Sequence, residues 1–286
     1  MISNVAIKVF AAGLILLSAT VSQAGTAVTE TQAYFSNYDG NSVSQCMIEP
    51  GTGILSRCTE IIGFYSPYSI ALGHGYAYVT NYGFDTVSKC KVDSATGGLF
   101  ECAATGRGFQ APSAIALHQQ FVYVSNLGSG TLSKCNIAQT NGGIVIHDHY
   151  AYIAGVDLIK CNVHPETGDL SHCISSGYNT TGASGIAIGP EGYAYVTNYN
   201  HFVSKCMINA ITGELSHCTQ TGSGFNNPNG IGIINGYAYI QNYDVSTISR
   251  CTIQEKTGEL LDCIPTGSGF NGNSGDIAFL SSEPNE

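Results

Sequence analysis

The sequence has no tryptophan, three methionines and little charge: 10 Lys and Arg stand against 20 Asp and Glu, together 10% of the chain. An average globular chain carries roughly 25%. So few cations, under a net charge of −10, exclude the basic patches by which proteins hold nucleic acid or anionic membrane surfaces. Solubility must rest on Ser, Thr, Asn and Gly. Cys-x-x-Cys pairs are missing, which removes a common spacing of zinc ligands. There is no Gly-x-Ser-x-Gly elbow and no phosphate-binding glycine loop. Beyond residue 24 no stretch is apolar enough to cross a bilayer, so no membrane insertion is expected.

The apolar run that does exist, Val9 to Ala19, follows a single Lys8 and leads to Ser22-Gln23-Ala24. That is the layout of a signal peptide cleaved after Ala24. Residues 1–24 are therefore expected to be removed. Residues 25–286 would remain as a single domain, periplasmic or secreted.

What is abundant is glycine, 35 residues, and tyrosine, 17, the profile of a turn-rich all-β chain. The segment Ala77-Tyr-Val-Thr-Asn81 recurs as Ala33-Tyr-Phe-Ser-Asn37, Val122-Tyr-Val-Ser-Asn126, Ala151-Tyr-Ile-Ala-Gly155, Ala194-Tyr-Val-Thr-Asn198 and Ala238-Tyr-Ile-Gln-Asn242. A Val-Ser-Lys-Cys type segment follows each copy and places Cys46, Cys90, Cys135, Cys161, Cys206 and Cys251 at spacings of 44, 45, 26, 45 and 45. Each unit offers four short strands, a to d, separated by turns, with Thr-Gly between c and d. Such a sheet cannot bury both faces alone, and stacking copies around an axis covers them. A unit of about 44 residues fits a propeller blade better than a solenoid coil, although a β-solenoid stays open at this point. The expectation is an all-β, six-bladed β-propeller of four-stranded antiparallel blades. Blade 3 lacks its outer strand, because Gly143 passes straight into the next strand a. Ser274 to Leu280 matches strand a with no strand b after it, so the C-terminal strand should close the ring in blade 1.

Tyr78-Val-Thr-Asn81 with Thr86-Val-Ser88 resembles the YVTN-type propeller repeat. The longer pattern, with Asp-x-x-Thr-Gly-x-Leu and Gly-x-x-x-Pro-x-x-Ile-Ala, is similar to the seven-bladed lactonase-like propellers. The resemblance implies the fold and carries function weakly, since such repeats serve many roles. This chain departs from both families in its cysteines, and from the lactonase-like enzymes in its number of blades.

Ten cysteines fall into pairs twelve apart: Cys46 and Cys58, Cys90 and Cys102, Cys161 and Cys173, Cys206 and Cys218, Cys251 and Cys263. Each pair is equidistant from its Thr-Gly turn, so its members should face each other across strands c and d. Five intrablade disulfides are expected, with buried reduced thiols as the competing reading. Cys135 is left as a free thiol on the uncovered edge of blade 3, where a second copy or another protein could dock.

In a propeller the b–c and d–a loops share one end of the ring. The b–c loops begin with Asn37-Tyr38, Asn81-Tyr82, Asn198-Tyr199 and Asn242-Tyr243, an annulus suited to a protein, a peptide or a carbohydrate. Copying of a turn-capping Asn and an interface Tyr would give the same pattern. Catalysis needs groups in different roles, and the titratable residues expected at this end are Asp39, Asp85, Arg107, Asp157, His201 and Asp244. His with Asp could act as general base and Arg could stabilise an oxyanion. His147-Asp-His149 could hold a metal on one strand face or be an exposed a–b turn; the turn reading is preferred and no metal is expected. Lys89, Lys134, Lys160, Lys205 and Arg250 each precede the first Cys of their unit, an array that acidic groups on strand d such as Glu101 could pair. The sequence weighs towards a non-catalytic binding or scaffold protein without a cofactor. The alternatives are a lactonase-like hydrolase or lyase with its site on the b–c/d–a face, or a purely structural surface protein.

Overall fold

The computed structural model describes residues 31–106, 108–118, 121–133, 143–155, 157–180, 182–270 and 274–280. The segment read as a signal peptide, Arg107, Lys134 and Cys135 lie outside the described residues. Blade 1 joins β1 (Thr31–Asn37), β2 (Ser42–Ile48) and β3 (Leu55–Ile62). Blade 2 holds β4 (Pro67–Gly73), β5 (Tyr76–Asn81), β6 (Thr86–Val92) and β7 (Leu99–Thr105). Among the described residues blade 3 has three strands, β8 (Pro112–His118), β9 (Phe121–Asn126) and the two-residue β10 (Thr131–Leu132). Blade 4 comprises β11 (Ile144–His147), β12 (Tyr150–Ile153), β13 (Asp157–Val163) and β14 (Leu170–Asn179). Blade 5 comprises β15 (Ala183–Ile188), β16 (Tyr193–Asn198), β17 (Phe202–Ile208) and β18 (Leu215–Thr221). Blade 6 comprises β19 (Pro228–Ile234), β20 (Tyr237–Asn242), β21 (Thr247–Ile253) and β22 (Leu260–Thr266). The last strand, β23 (Ser274–Leu280), pairs antiparallel with β1, Ala33 opposite Phe279 and Gln32 opposite Leu280.

The sheet order β23-β1-β2-β3 makes the chain's last strand the innermost of its first blade. The six inner strands touch in the cycle β23, β4, β8, β11, β15, β19 and back to β23. The molecule is a closed six-bladed β-propeller, and the solenoid is excluded. Its core is distributed over six seams. Buried Ala114, Tyr123 and Leu132 of blade 3, for example, pack on Ala151, Ile153 and Val163 of blade 4.

Four seams share one contact, whereas the buried Tyr152 hydroxyl of blade 4 has no hydrogen-bond partner. The buried Tyr in the middle of strand b donates its hydroxyl to the Thr-Gly turn of the next blade: Tyr34 to the Gly97 carbonyl (2.5 Å), Tyr123 to Gly168 (2.5 Å), Tyr195 to Gly258 (2.7 Å) and Tyr239 to Gly53 (2.5 Å). The last of these spans the closure between blades 6 and 1. Those turn glycines have φ between 66° and 69°, a region costly for other residues. A Cβ on Gly258 would also lie 2.6 Å from the Tyr193 ring. In four blades the basic residue before the first Cys stacks on a strand-b tyrosine. Lys89, Lys160, Lys205 and Arg250 lie over the rings of Tyr76, Tyr150, Tyr193 and Tyr237 at 3.8–5.2 Å. Lys205 also donates to the Thr257 carbonyl of blade 6 (2.7 Å) and pairs with Glu259. Glu101 pairs with Lys91, at 2.5 Å, rather than with Lys89.

All five expected disulfides are present, with Cα atoms 4.0 Å apart. The opposition is not a plain one, because each c–d ladder shifts register at the cysteines. The residue before the second Cys (Arg57, Glu101, His172, His217, Asp262) has φ of 48–50°, a bulge that sets two residues against one. The strand-c cysteine is fully buried in every pair. The five disulfides fit an oxidising compartment, periplasmic or extracellular.

Candidate functional site

The four loop asparagines fasten the ring. Asn37, Asn81, Asn198 and Asn242 are buried, and each donates its Nδ2 to the strand-c serine: Ser44, Ser88, Ser204 and Ser249, at 2.9–3.0 Å. The Oδ1 of Asn81 and of Asn242 accept from the backbone N–H of Tyr65 and Asn226 in the d–a loops. A buried amide at this point satisfies two strand ends at once.

The tyrosines beside them converge on the axis. Tyr38 packs edge-on against Tyr82 at 5.6 Å and against Tyr68 at 5.8 Å. Tyr68 reaches across the ring, its hydroxyl 3.1 Å from that of Tyr199 in the opposite blade. The Tyr243 phenol is close enough to couple electrostatically with Tyr38, Tyr68 and Tyr199. Burial raises the pKa of Tyr68 and Tyr199 above that of a free phenol, so both stay neutral hydrogen-bonding groups. The b–c/d–a end of the ring is thus covered by an aromatic floor. Beside it Tyr65 and Phe84 pair at 4.2 Å between ring centroids, 52% and 62% exposed, with Ile62 79% exposed. Sequence reasoning missed Tyr65, Tyr68 and Phe84. Their signal was a break in the repeat: Tyr68 stands where the other units have Ser113, Ser184 and Asn229. Tyr65 replaces Gln110 and Asn226, and Phe84 replaces Gly40, Ser129 and Val245.

The titratable candidates are dispersed. Asp85 and His201 occupy one repeat position, the last residue before strand c, in blades 2 and 5, on opposite sides of the ring. Both have positive φ, and both accept from the next blade's d–a loop. Asp85 Oδ1 takes the Ala111 N–H at 2.6 Å, and His201 Nδ1 takes the Asn227 N–H at 2.8 Å. Asn41 does the same for the Ser66 N–H. Asp244 accepts from Asn227 Nδ2 at 3.1 Å, so His201 and Asp244 meet around one loop residue. Asp157 opens β13 and accepts from the Ser175 hydroxyl. Asp39 is exposed beside Tyr38. His147, Asp148 and His149 form the a–b turn between β11 and β12, with His147 3.6 Å from Asp148.

One carboxylate lies where sequence reasoning did not look. A cavity of about 860 Å³ runs along the axis, lined by all six inner strands. Asp276 of β23 is the residue of that lining nearest the tyrosine floor. It accepts from the Ser69 hydroxyl (2.6 Å) and the Ile277 N–H (2.8 Å). The channel touches it, but protein surrounds it, and desolvation raises its pKa from 3.8 to about 6. The folded state therefore holds this proton more tightly than the unfolded chain. Its ionisation costs stability as pH rises from about 4 to about 6, and the cost stays constant above. We expect Asp276→Asn to gain roughly 1–3 kcal/mol over wild type at pH 7.5 and nothing at pH 4. Paired urea melts at the two pH values check this; an equal difference at both would refute it.

No family model matches the sequence, and no curated protein matches it. Solved structures resemble the fold. A chain of a nidogen/laminin complex superposes with a TM-score of 0.65 at 10% identity, over 87% of this chain and 98% of that one. A putative 6-phosphogluconolactonase from Bacteroides uniformis gives 0.63 at 14%, over 88% and 100%. The periplasmic gluconolactonase of Pseudomonas aeruginosa gives 0.59 at 13%, over 89% and 86%. These similarities include a lactonase-like propeller fold, and at such identities they establish the fold alone.

Proposed function

We propose that this is an exported, non-catalytic β-propeller that binds a neutral glycan or peptide on its b–c/d–a face. The observation that carries the reading is the exposed Tyr65–Phe84 pair beside the axial tyrosines, at positions where other units have Gln110 and Asn226 or Gly40, Ser129 and Val245. Aromatic faces with phenol hydroxyls around them offer stacking area and adaptable hydrogen bonds without charge. Among the candidate acid–base groups, Asp85 and His201 spend their acceptor atoms on loop backbone and face each other across the full ring, which supports binding over hydrolysis.

Screening the protein against immobilised glycans and peptides should identify a ligand. Tyr65→Ala with Phe84→Ala should then weaken it at least tenfold, about 1.4 kcal/mol, with the melting temperature unchanged. Full affinity in that double variant would discard the face. Turnover of a sugar lactone above its spontaneous opening, abolished by His201→Ala, would instead establish the hydrolase.

A further inference from the structure

The axial cavity lies on the other side of the tyrosine floor from that face and carries an independent inference. Its lining extends from Asp276, at the floor, to Asn235 and Thr31 at the a–b end, so it forms a well that opens away from the proposed ligand face. At mid-depth one repeat position supplies Ala71, Ala116, Val145, Ala187, Gly232 and Ala278. Otherwise the side chains of the lining are largely aliphatic.

The charge at the bottom has no counterpart. Asp276 stands where the other five units have Ser69, Ala114, Gly143, Gly185 and Gly230. Strands β1, β4, β19 and β20, which pack against β23, contain no Asp, Glu, Lys, Arg or His. The polar groups they turn towards the Asp276 segment are Ser36, Ser69 and Gln241, none of which titrates. Gln241 is fully buried, and neither carboxamide atom has a hydrogen-bond partner. A Cβ placed on Gly230 would meet its Oε1 at 2.5 Å and the Asp276 Cα at 2.9 Å, which puts the carboxamide beside Asp276. A buried carboxylate held by two donors, with a spare acceptor next to it and no cation on any neighbouring strand, is complementary to a cation brought from outside.

We propose that the well binds a small linear aliphatic ammonium ion, its alkyl chain along the ring axis and its N–H donors directed at Asp276. A cavity of this size is within the range of small-molecule sites, where an apolar wall supplies most of the contact and a few polar groups fix orientation. An ammonium head without an alkyl chain would leave that wall unused.

Calorimetric titration of the purified protein with n-hexylammonium, n-hexanol, hexanoate, methylammonium and Ca²⁺ tests this. One hexylammonium should bind per ring, at least tenfold tighter than hexanol and tighter still than hexanoate. Asp276→Asn should erase the tenfold advantage and leave hexanol unaffected. On wild-type protein, lowering the pH from 7.5 to 5 should weaken hexylammonium several-fold and hexanol not at all, an arm that needs no variant to fold. Equal affinity for hexylammonium and hexanol, a pH-independent preference, or methylammonium or Ca²⁺ binding as tightly as hexylammonium would each overturn the proposal.

Discussion

Truncation after Asn273 should leave a chain that does not hold a cooperative fold at 25 °C. The lost strand β23 is the inner strand of blade 1 and half of two seams, against β4 and against β19. Ile277 is buried, and Phe279 packs on Tyr239 with ring centroids 5.7 Å apart. Burial of side chains of this size stabilises by about 1.5–3 kcal/mol each. Truncation would also uncover the backbone edge of β1, where Ala33 and Phe35 are fully buried. With β-propeller seams on both sides opened, the loss rivals the 5–15 kcal/mol that most domains possess. Near-ultraviolet circular dichroism and thermal melts would show it, and adding the 274–286 peptide in trans should restore part of the signal. A truncated protein melting within a few degrees of the full chain would contradict the closure.

Complete reduction should have a comparable effect. Each disulfide closes a loop of about a dozen residues, for which chain-entropy arguments give about 3 kcal/mol. Five of them together match the whole stability of an ordinary domain. Reductant with a low concentration of urea should therefore unfold a protein that resists the same urea when oxidised. Reduction should proceed in order of access. Cys102 is exposed, whereas Cys58, Cys173, Cys218 and Cys263 are partly covered, so alkylation followed by mass spectrometry should find Cys90–Cys102 opened first. If reduced and oxidised protein gave the same urea midpoint, the staples would be ornamental.

The six-fold plan and its five covalent staples were legible in the sequence because repetition exposes them. Tyr-x-x-Asn marked strand b, Thr-Gly marked the c–d turn, and a twelve-residue spacing across that turn leaves the two cysteines facing one another. The bulge at Arg57 and its equivalents was not legible, since five unrelated side chains share that backbone conformation. The role of Thr-Gly was legible only in part. Its glycine is demanded by the turn and equally by the tyrosines of the preceding blade, a contact between residues some 60 positions apart or, at the closure, nearly 190.

The candidate site shows the opposite bias. Asn37, Asp85 and His201 drew attention as polar loop residues, yet each occupies a position whose equivalents do structural work. Tyr68, Phe84 and Asp276 were passed over because a search for repetition averages away the exceptions. Laying the six inner strands side by side isolates Asp276 at once, as an acidic residue in a column of serine, alanine and glycine. In a repeat protein the shared positions describe the scaffold, and the outliers point to what the scaffold is for.

The placement of β23 also governs how such a molecule must be born. Every other blade is assembled from one contiguous stretch of chain, whereas the first waits for β23, which is made after the other strands of all six blades. Until then the nascent chain carries one unfinished sheet at its start and one unsatisfied seam at its end. Until β23 is made the ring has no closing strand, so a partly synthesised chain of this design stays an open arc.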